Sequence, residues 1–226
     1  MLVLDLFSGS QSLKSVCETM DYDYISLDID ASSNPTICSD ILKWNYEDAN
    51  ISPDIIWASP ECKWYSKLTS SNKKFSAADI DNGMNEGDKL VQKVFDIIDY
   101  FKPKKWFIEN PFTGRLKDRE IMKDKKYYRT DYCQWGFSYK KPTAIWTNIK
   151  WNDVRKCNPK TCPMVKIDFN RPNNSRNLGY YYNHINNLGG VKTELTKPNS
   201  TLGNDKQKIL RYSVPSSLLY SLLKSH

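Results

Sequence analysis

The chain has 226 residues, 39% of them hydrophobic and 26% charged, with a formal net charge of +7. That length suits one domain with a small appendage and a packed core, and a mild basic excess suits a polyanionic partner. With no stretch near the ~20 apolar residues of a membrane span and no leader-like start in Met1-Leu2-Val3-Leu4-Asp5, an intracellular protein is expected, in the cytoplasm of a bacterial or virus-infected host cell or in a nucleus.

Leu2 to Leu6 reads as an opening strand, followed by the turn Phe7-Ser8-Gly9-Ser10, with Ser10 or Ser12 capping a helix to about Met20. Tyr24 to Leu27 is a second strand, Thr36 to Cys38 a short third and Asp54 to Ala58 a fourth. Residues Lys67 to Ala77 are polar and Ser/Lys-rich and read as a mobile loop. A helix is predicted from about Gly87 to Phe101, because Leu90, Val91, Val94, Phe95, Ile97 and Ile98 recur on one face and Pro103 ends the pattern. Trp106 to Glu109 is the fifth strand, Gly114 to Met122 a polar helix, and Tyr127 to Cys133 and Ala144 to Thr147 are strand-like. Strand alternating with helix argues for an α/β fold with a doubly wound, mostly parallel sheet. Character changes after Trp151. Residues 1–151 form the core, 152–207 a small irregular insert rich in Asn, Lys, Pro and Gly, and 208–226 a segment that returns to the core with a short helix over Ser217 to Leu223.

Two strands end in reactive side chains. Asp54-Ile55-Ile56-Trp57-Ala58 stops at Ser59-Pro60-Glu61-Cys62 and presents a thiol; Trp106-Phe107-Ile108 stops at Glu109-Asn110-Pro111 and presents a carboxyl group. The carboxyl edge of an open α/β sheet is where ligands bind. Gly9 holds the nucleotide-binding junction, but Gln11 and Ser12 occupy the later positions of G-x-G-x-x-G, so a pyrophosphate cradle is not expected. A ligand with an adenosine moiety and no phosphate fits better, and S-adenosylmethionine is the obvious one. Asp28, nineteen positions after Gly9, is placed for ribose hydroxyls and Asp40 for an adenine amino group. Each acid alone reads equally as a turn cap.

A thiolate adds to cytosine C6 only when N3 is protonated or bonded to an acid. Addition makes C5 nucleophilic toward a sulfonium methyl, and loss of the C5 proton then expels the enzyme. Cys62 as nucleophile and Glu109 as N3 partner supply the first half. Singly, Cys62 reads as a small buried hydrophobe and Glu109 as a surface ion-pair partner; the pairing is what favours chemistry.

On these residues the chain resembles the cytosine C5 DNA methyltransferases, most closely the short phage and large-virus type. Asp5-Leu6-Phe7-Ser8-Gly9 resembles the first cofactor motif, Ser59-Pro60-Glu61-Cys62 the Pro-Cys loop, and Glu109-Asn110-Pro111 the Glu-Asn motif. Tyr132-Cys133-Gln134-Trp135-Gly136, with Lys140-Lys141-Pro142-Thr143, resembles a phage-type block where the wider family carries Gln and Arg near the base. Arg211-Tyr212-Ser213-Val214-Pro215 resembles the last motif, which closes the cofactor pocket. The resemblance covers about residues 1 to 150 and the last twenty. It implies a Rossmann-like, class I S-adenosylmethionine-dependent methyltransferase fold with a target-recognition insert. The activity implied is a monomeric DNA (cytosine-5)-methyltransferase acting on double-stranded DNA. Cys62, Glu109, Gln134 and Lys141 are the implied catalytic residues; Lys140 or Lys141 stands in for the family's arginine, with Lys141 the favoured one. Phe7, Ser8, Gly9, Asp28, Ile29, Asp40 and Ile41, with Pro60, Ser213 and Val214, are the implied cofactor contacts. Two departures matter: Glu61 replaces the usual second proline and places a charge that disfavours thiolate, and Tyr212 replaces an asparagine.

A duplex cytosine must be flipped to reach such a thiol. Lys63, Trp64, Tyr65, Lys67, Lys73 and Lys74 are expected to close over it, with lysines on phosphates and aromatics filling space. Arg155, Arg171 and Arg176, with Asn173, Asn174 and Asn177, are able to read base edges. The six cysteines are expected as reduced thiols and no metal is expected: Cys157-x4-Cys162 with Cys133 or His184 has a spacing zinc permits, but no second close pair supports it. The alternatives are methylation of a tRNA cytosine at C5, or a degenerate homologue that binds DNA or cofactor without turnover. Abundant Lys and Asn fit an AT-rich, viral genome.

Overall fold

In the computed structural model, which describes residues 1–168, 181–184 and 212–225 and gives the backbone alone at 68, 166–168 and 181–184, seven strands form one sheet. Strand β1 (Leu2–Leu6) lies between β2 (Asp23–Asp28) and β4 (Ile55–Ala58), with the short β3 (Ile37–Cys38) outside β2. Beyond β4 come β5 (Lys105–Pro111), β7 (Pro142–Thr147) and β6 (Tyr127–Asp131). All neighbours are parallel except at β7, which runs against both β5 and β6.

Successive side chains of a strand face opposite ways, and here both faces are buried. Leu4, Ile56, Ile108 and Trp146 enter one apolar cluster; Val3, Ile55, Phe107 and Ile145 enter another. Helix α3 (Ala77–Phe101) covers the first through Val91, Val94, Ile97 and Ile98. Helices α1 (Lys14–Thr19) and α4 (Ser216–Lys224) cover the second through Val16, Leu218, Leu219 and Leu222. Strands covered on both faces read as unbroken apolar runs. The C-terminal segment returns because its leucines have nowhere else to go: full burial stabilises by about 2 kcal/mol for each.

Several elements depart from expectation. Helix α3 begins at Ala77, well before Gly87, because Ser76 and Asp79 form a reciprocal capping box. The Lys67–Ala77 stretch is not wholly a loop: α2 (Lys67–Ser70) opens it, with the Thr69 hydroxyl donating to the Lys63 carbonyl at 2.6 Å. Gly114 to Met122 is no α-helix but holds two 3-10 turns, Leu116–Asp118 and Glu120–Met122. Neither Ser10 nor Ser12 caps α1; Ser12 Oγ accepts instead from the Val214 amide at 3.1 Å, tying the C-terminal segment to the first turn. Strand β6 stops at Asp131, and Tyr132–Trp135 is a 3-10 turn.

Past the sheet, Trp151 stacks on Trp135 with ring centroids 5.8 Å apart and donates from Nε1 to Ser221 Oγ at 3.1 Å. Strands β8 (Val165–Asp168) and β9 (Tyr181–His184) pair antiparallel, with Val165 opposite His184. Arg171, Arg176, Asn173, Asn174 and Asn177 lie outside the described residues. No helix among the described residues is long and apolar enough to cross a membrane.

Candidate active site

Strand order reverses between β1 and β4: β2 and β3 extend the sheet to one side, β4 and β5 to the other. Ligand crevices form at the carboxyl ends of strands at such a switch point, and a cavity of about 580 Å³ opens there. Five strand ends supply its wall, through Gly9, Asp28, Asp40, Cys62 and Glu109. Register explains why the thiol and the acid meet. Ala58 pairs with Ile108, so Ser59 lies level with Glu109 and Cys62 follows three residues on. Asn110 Nδ2 donates to the Pro60 carbonyl at 3.0 Å, so β5 itself holds the Pro-Cys turn.

Glu109 is 5% exposed. Its Oε1 accepts from Tyr132 Oη at 3.0 Å and from Thr143 Oγ1, and lies 3.7 Å from Lys141 Nζ. Thr143 reaches it because β7 pairs Thr143 with Pro111, the next residue on the same face of β5 as Glu109. Lys141 Nζ also sits 4.6 Å from the Tyr132 ring centroid. Tyr132 is fully buried, and burial beside the carboxylate pushes its phenol well above the usual range, so it remains a donor.

The Cys62 thiol is pushed up, first by burial and then by the Glu109 carboxylate, with the Lys141 ammonium opposing. Glu61, exposed at the cavity edge, adds the weakest push, so this departure from the usual proline matters less to the thiol than Glu109 does.

At the other end of the cavity, Asp28 ties two loops together. Oδ2 accepts from the Gly9 amide at 2.7 Å and Oδ1 from the Asp30 amide at 2.8 Å, and each oxygen keeps a lone pair. The turn after β1 is tight: Phe7, Gly9 and Gln11 have φ of 62°, 39° and 51°. A left-handed Phe is uncommon and marks strain held by its surroundings. Gln11, standing where a dinucleotide fingerprint has glycine, donates from Nε2 to the carbonyls of Ser33 and Asn34 at 2.7 and 2.8 Å. Asp40 Oδ1 accepts from the Leu42 amide at 3.0 Å. Ile29, 70% exposed, offers an apolar wall, and Phe7, Ile41, Pro60 and Val214 also line the cavity; Ser213 does not. Ser8 Oγ is buried in the wall with no protein partner among the described residues. Lone pairs on two acids, an apolar wall and an unpartnered hydroxyl fit a ligand with a ribose, a flat base and a charged amino-acid end.

Three further residues were not singled out by sequence reasoning. Asp5, 3% exposed, lines the cavity and accepts from Tyr24 Oη at 2.7 Å. Burial pushes its carboxyl up to about 7, with the Tyr24 bond opposing and Asp28 adding. Tyr132 and Thr143 are the others; the available signal is that Lys141 and Thr143 alternate, which places them on one face.

Other expected site residues are not brought to the cavity. Gln134 donates from Nε2 to Cys162 Sγ at 3.3 Å, so Tyr132, two residues earlier, is the member of that turn that meets Glu109. The Trp64 ring packs on Gly83 of α3 and on Phe75, with centroids 5.2 Å apart for the latter, and Tyr65 is fully buried with its hydroxyl donating to Asp88 at 2.9 Å, so both anchor their loop inward rather than facing nucleic acid. Arg155 is held by Asp153 through two bonds of 2.9 and 2.8 Å and lies 4.0 Å over the Trp135 ring. Lys67, at the start of α2, and Lys73 and Lys74 beyond it are exposed away from the cavity, whereas the exposed Lys63 and Tyr212 do reach its rim. The sulfurs of Cys133, Cys157 and Cys162 come within 4.8 Å of one another.

No family model matches the sequence. A protein of Frog virus 3 (isolate Goorha) named Probable DNA (cytosine-5)-methyltransferase is 32% identical over 240 residues, covering 99% of each chain. The chain belongs to the DNA (cytosine-5)-methyltransferase family. Among solved structures, a DNA modification methyltransferase encoded within an E. coli prophage superposes with a TM-score of 0.49 at 14% identity, over 69% of this chain and 51% of its own. The S. pombe Dnmt2 methyltransferase gives 0.46 at 13% identity, over 67% and 51%. This family member therefore spans about half the length of either solved chain. Its doubly wound sheet, with a single antiparallel strand at β7, is the fold expected from the sequence.

Proposed function

We propose that the protein transfers a methyl group from S-adenosylmethionine to C5 of a cytosine flipped out of double-stranded DNA. The observation that carries this reading is the convergence of Cys62, Glu109 and Lys141 on the cavity whose far end is walled by Gly9, Asp28 and Asp40. Cys62 Sγ adds to C6 while Glu109 holds N3; the bonds from Tyr132 and Thr143 fall on Oε1 and fix the carboxyl plane for that contact. Lys141 offsets the negative charge that Glu109 places beside the sulfur and faces the base O2. The bound cofactor supplies an electrophilic methyl, and its charged and ribose ends are held by Asp5, Ser8 and Asp28, with Ile29 against the adenine. Lys63, Lys67, Lys73 and Lys74 contact phosphates around the flipped base.

Trapping tests this. DNA carrying 5-fluorocytosine in many sequence contexts is incubated with the protein and cofactor. The fluorine cannot leave as a proton does, so a covalent adduct through Cys62 is expected from the wild type and none from Cys62→Ser. Labelled methyl transferred to tRNA and not to DNA, or no adduct in any context from a folded wild type, overturns the proposal.

A further inference from the structure

Cys133, Cys157 and Cys162 lie away from the catalytic cavity and come from three stretches of chain: the 3-10 turn after β6, the irregular segment after Trp151, and the turn that leads into β8. Backbone bonds converge to make this meeting. The Arg155 carbonyl accepts from the Asp131 amide at 3.0 Å and from Thr130 Oγ1 at 2.7 Å, and Asp131 Oδ2 accepts from the Cys157 amide at 2.8 Å, which docks the segment on the end of β6 next to Cys133. Asn158 then folds the chain back: its carbonyl accepts from the amides of Thr161 and Cys162 at 3.1 and 2.9 Å, and its side chain accepts from Lys160 at 3.1 Å. The turn brings Cys162 beside Cys157.

We propose that these three thiols form a structural site for a soft divalent cation of the zinc class. All three sulfurs lie within 4.8 Å of one another. Two thiolates on one tetrahedral zinc, each ~2.3 Å from the ion, stand about 3.8 Å apart, so closure needs shifts of an ångström or less. The C-x4-C turn has the spacing of zinc-binding pairs. Outer contacts suit bound thiolates: Gln134 donates to Cys162 Sγ at 3.3 Å, and the Cys157 backbone is fixed by the buried Asp131. Binding releases the thiol protons to solvent and involves no change of oxidation state. Three thiolates leave one position of a tetrahedron for a further donor. The ion would fasten the segment that leads from the catalytic core to the β8–β9 hairpin, and it would brace the turn whose Tyr132 hydroxyl holds Glu109.

Metal content tests the site. Full-length protein is produced in zinc-supplemented medium, kept reduced with a phosphine and analysed by mass spectrometry of the metals. About one zinc per chain is expected, falling to a small fraction in Cys157→Ser and in Cys162→Ser, and staying near one in Cys38→Ser, whose thiol is exposed elsewhere. Titrating metal-stripped protein with Co²⁺ should give a saturable thiolate-to-metal absorption band in the wild type and in Cys38→Ser. Circular dichroism separates loss of metal from loss of fold. A folded wild type with negligible zinc and no saturable band overturns the proposal, as does zinc content unchanged in the folded cysteine variants.

Discussion

Tyr132 Oη donates to Glu109 Oε1 at 3.0 Å from a fully buried position. A charge-assisted bond of this kind contributes about 1.5–3 kcal/mol, and under the proposed function it holds the acid that meets the base rather than merely the fold. Tyr132→Phe keeps the ring and removes the donor. Methyl transfer in a single turnover is expected to slow by about ten- to a hundredfold, with the cofactor dissociation constant unchanged. An unaltered rate in a folded Phe variant would show that Thr143 and Lys141 suffice to place the acid.

Lys141 opposes the push that burial and Glu109 exert on the Cys62 thiol. A raised thiol means that the thiolate fraction, and with it the rate, climbs as pH rises through the neutral range and beyond. Lys141→Met removes the opposing charge, so the rising limb of the rate profile should move to higher pH and the rate near neutrality should fall by about tenfold or more. Lys141→Arg should restore the position of that limb. A profile that does not move in the Met variant contradicts the assigned role.

The thiol and acid are legible in the sequence because an apolar run cut off by Pro-Cys or Glu-Asn-Pro can be little other than a buried strand stopping at a loop. Asp28 and Asp40 are legible for the same reason, one as the last residue of β2 and the other two residues past the end of β3. Tyr132 and Thr143 are not, since their contact with Glu109 depends on β7 turning antiparallel between β5 and β6, a register that no local pattern encodes. Asp5 heads the motif that carries Gly9, but its place in an apolar strand gives no sign that its own carboxyl lines the cavity. The first ten residues of α3 are obscured by Gly83 and by polar side chains, though the Ser76–Asp79 box was there to be read. Gln134 and Trp64 mislead because residue type suggests a role that orientation denies: one faces sulfur, the other faces a glycine.

Asp5 is expected to give stability and cofactor affinity opposite pH dependences. Its carboxyl sits at about 7 in the fold against an ordinary 3.8, so between those values the folded chain holds a proton that the unfolded chain has released. The stabilisation is complete below the lower value and is lost as pH rises through about 7. A cationic ligand in the cavity favours the ionised form, so affinity for S-adenosylmethionine should increase across that upper value, by about tenfold per unit at most. Asp5→Asn should flatten the affinity profile and remove the decline in melting temperature. Calorimetric titration a unit either side of neutrality checks the first, and thermal melts between pH 3.8 and about 7 check the second; parallel slopes in wild type and variant contradict both.

Gly83 is required by Trp64. A Cβ there would stand 2.1 Å from Trp64 Cδ2, in the body of a ring already packed against Phe75. One turn on, a Cβ at Gly87 would meet Tyr65 Oη at 2.6 Å, and that hydroxyl donates to Asp88 at 2.9 Å. Helix propensity alone would reward Gly83→Ala by up to about 1 kcal/mol, but overpacking against the body of a ring held by Phe75 costs about 1–3 kcal/mol. The clash wins. The variant is expected to melt a few degrees lower and, because Trp64 and Tyr65 directly follow the Pro-Cys turn, to transfer methyl groups more slowly. Trp64→Ala made in the Gly83→Ala background should recover part of the stability relative to the sum of the two single changes. A Gly83→Ala protein as stable and as active as the wild type would mean that the ring does not fix the catalytic loop against α3.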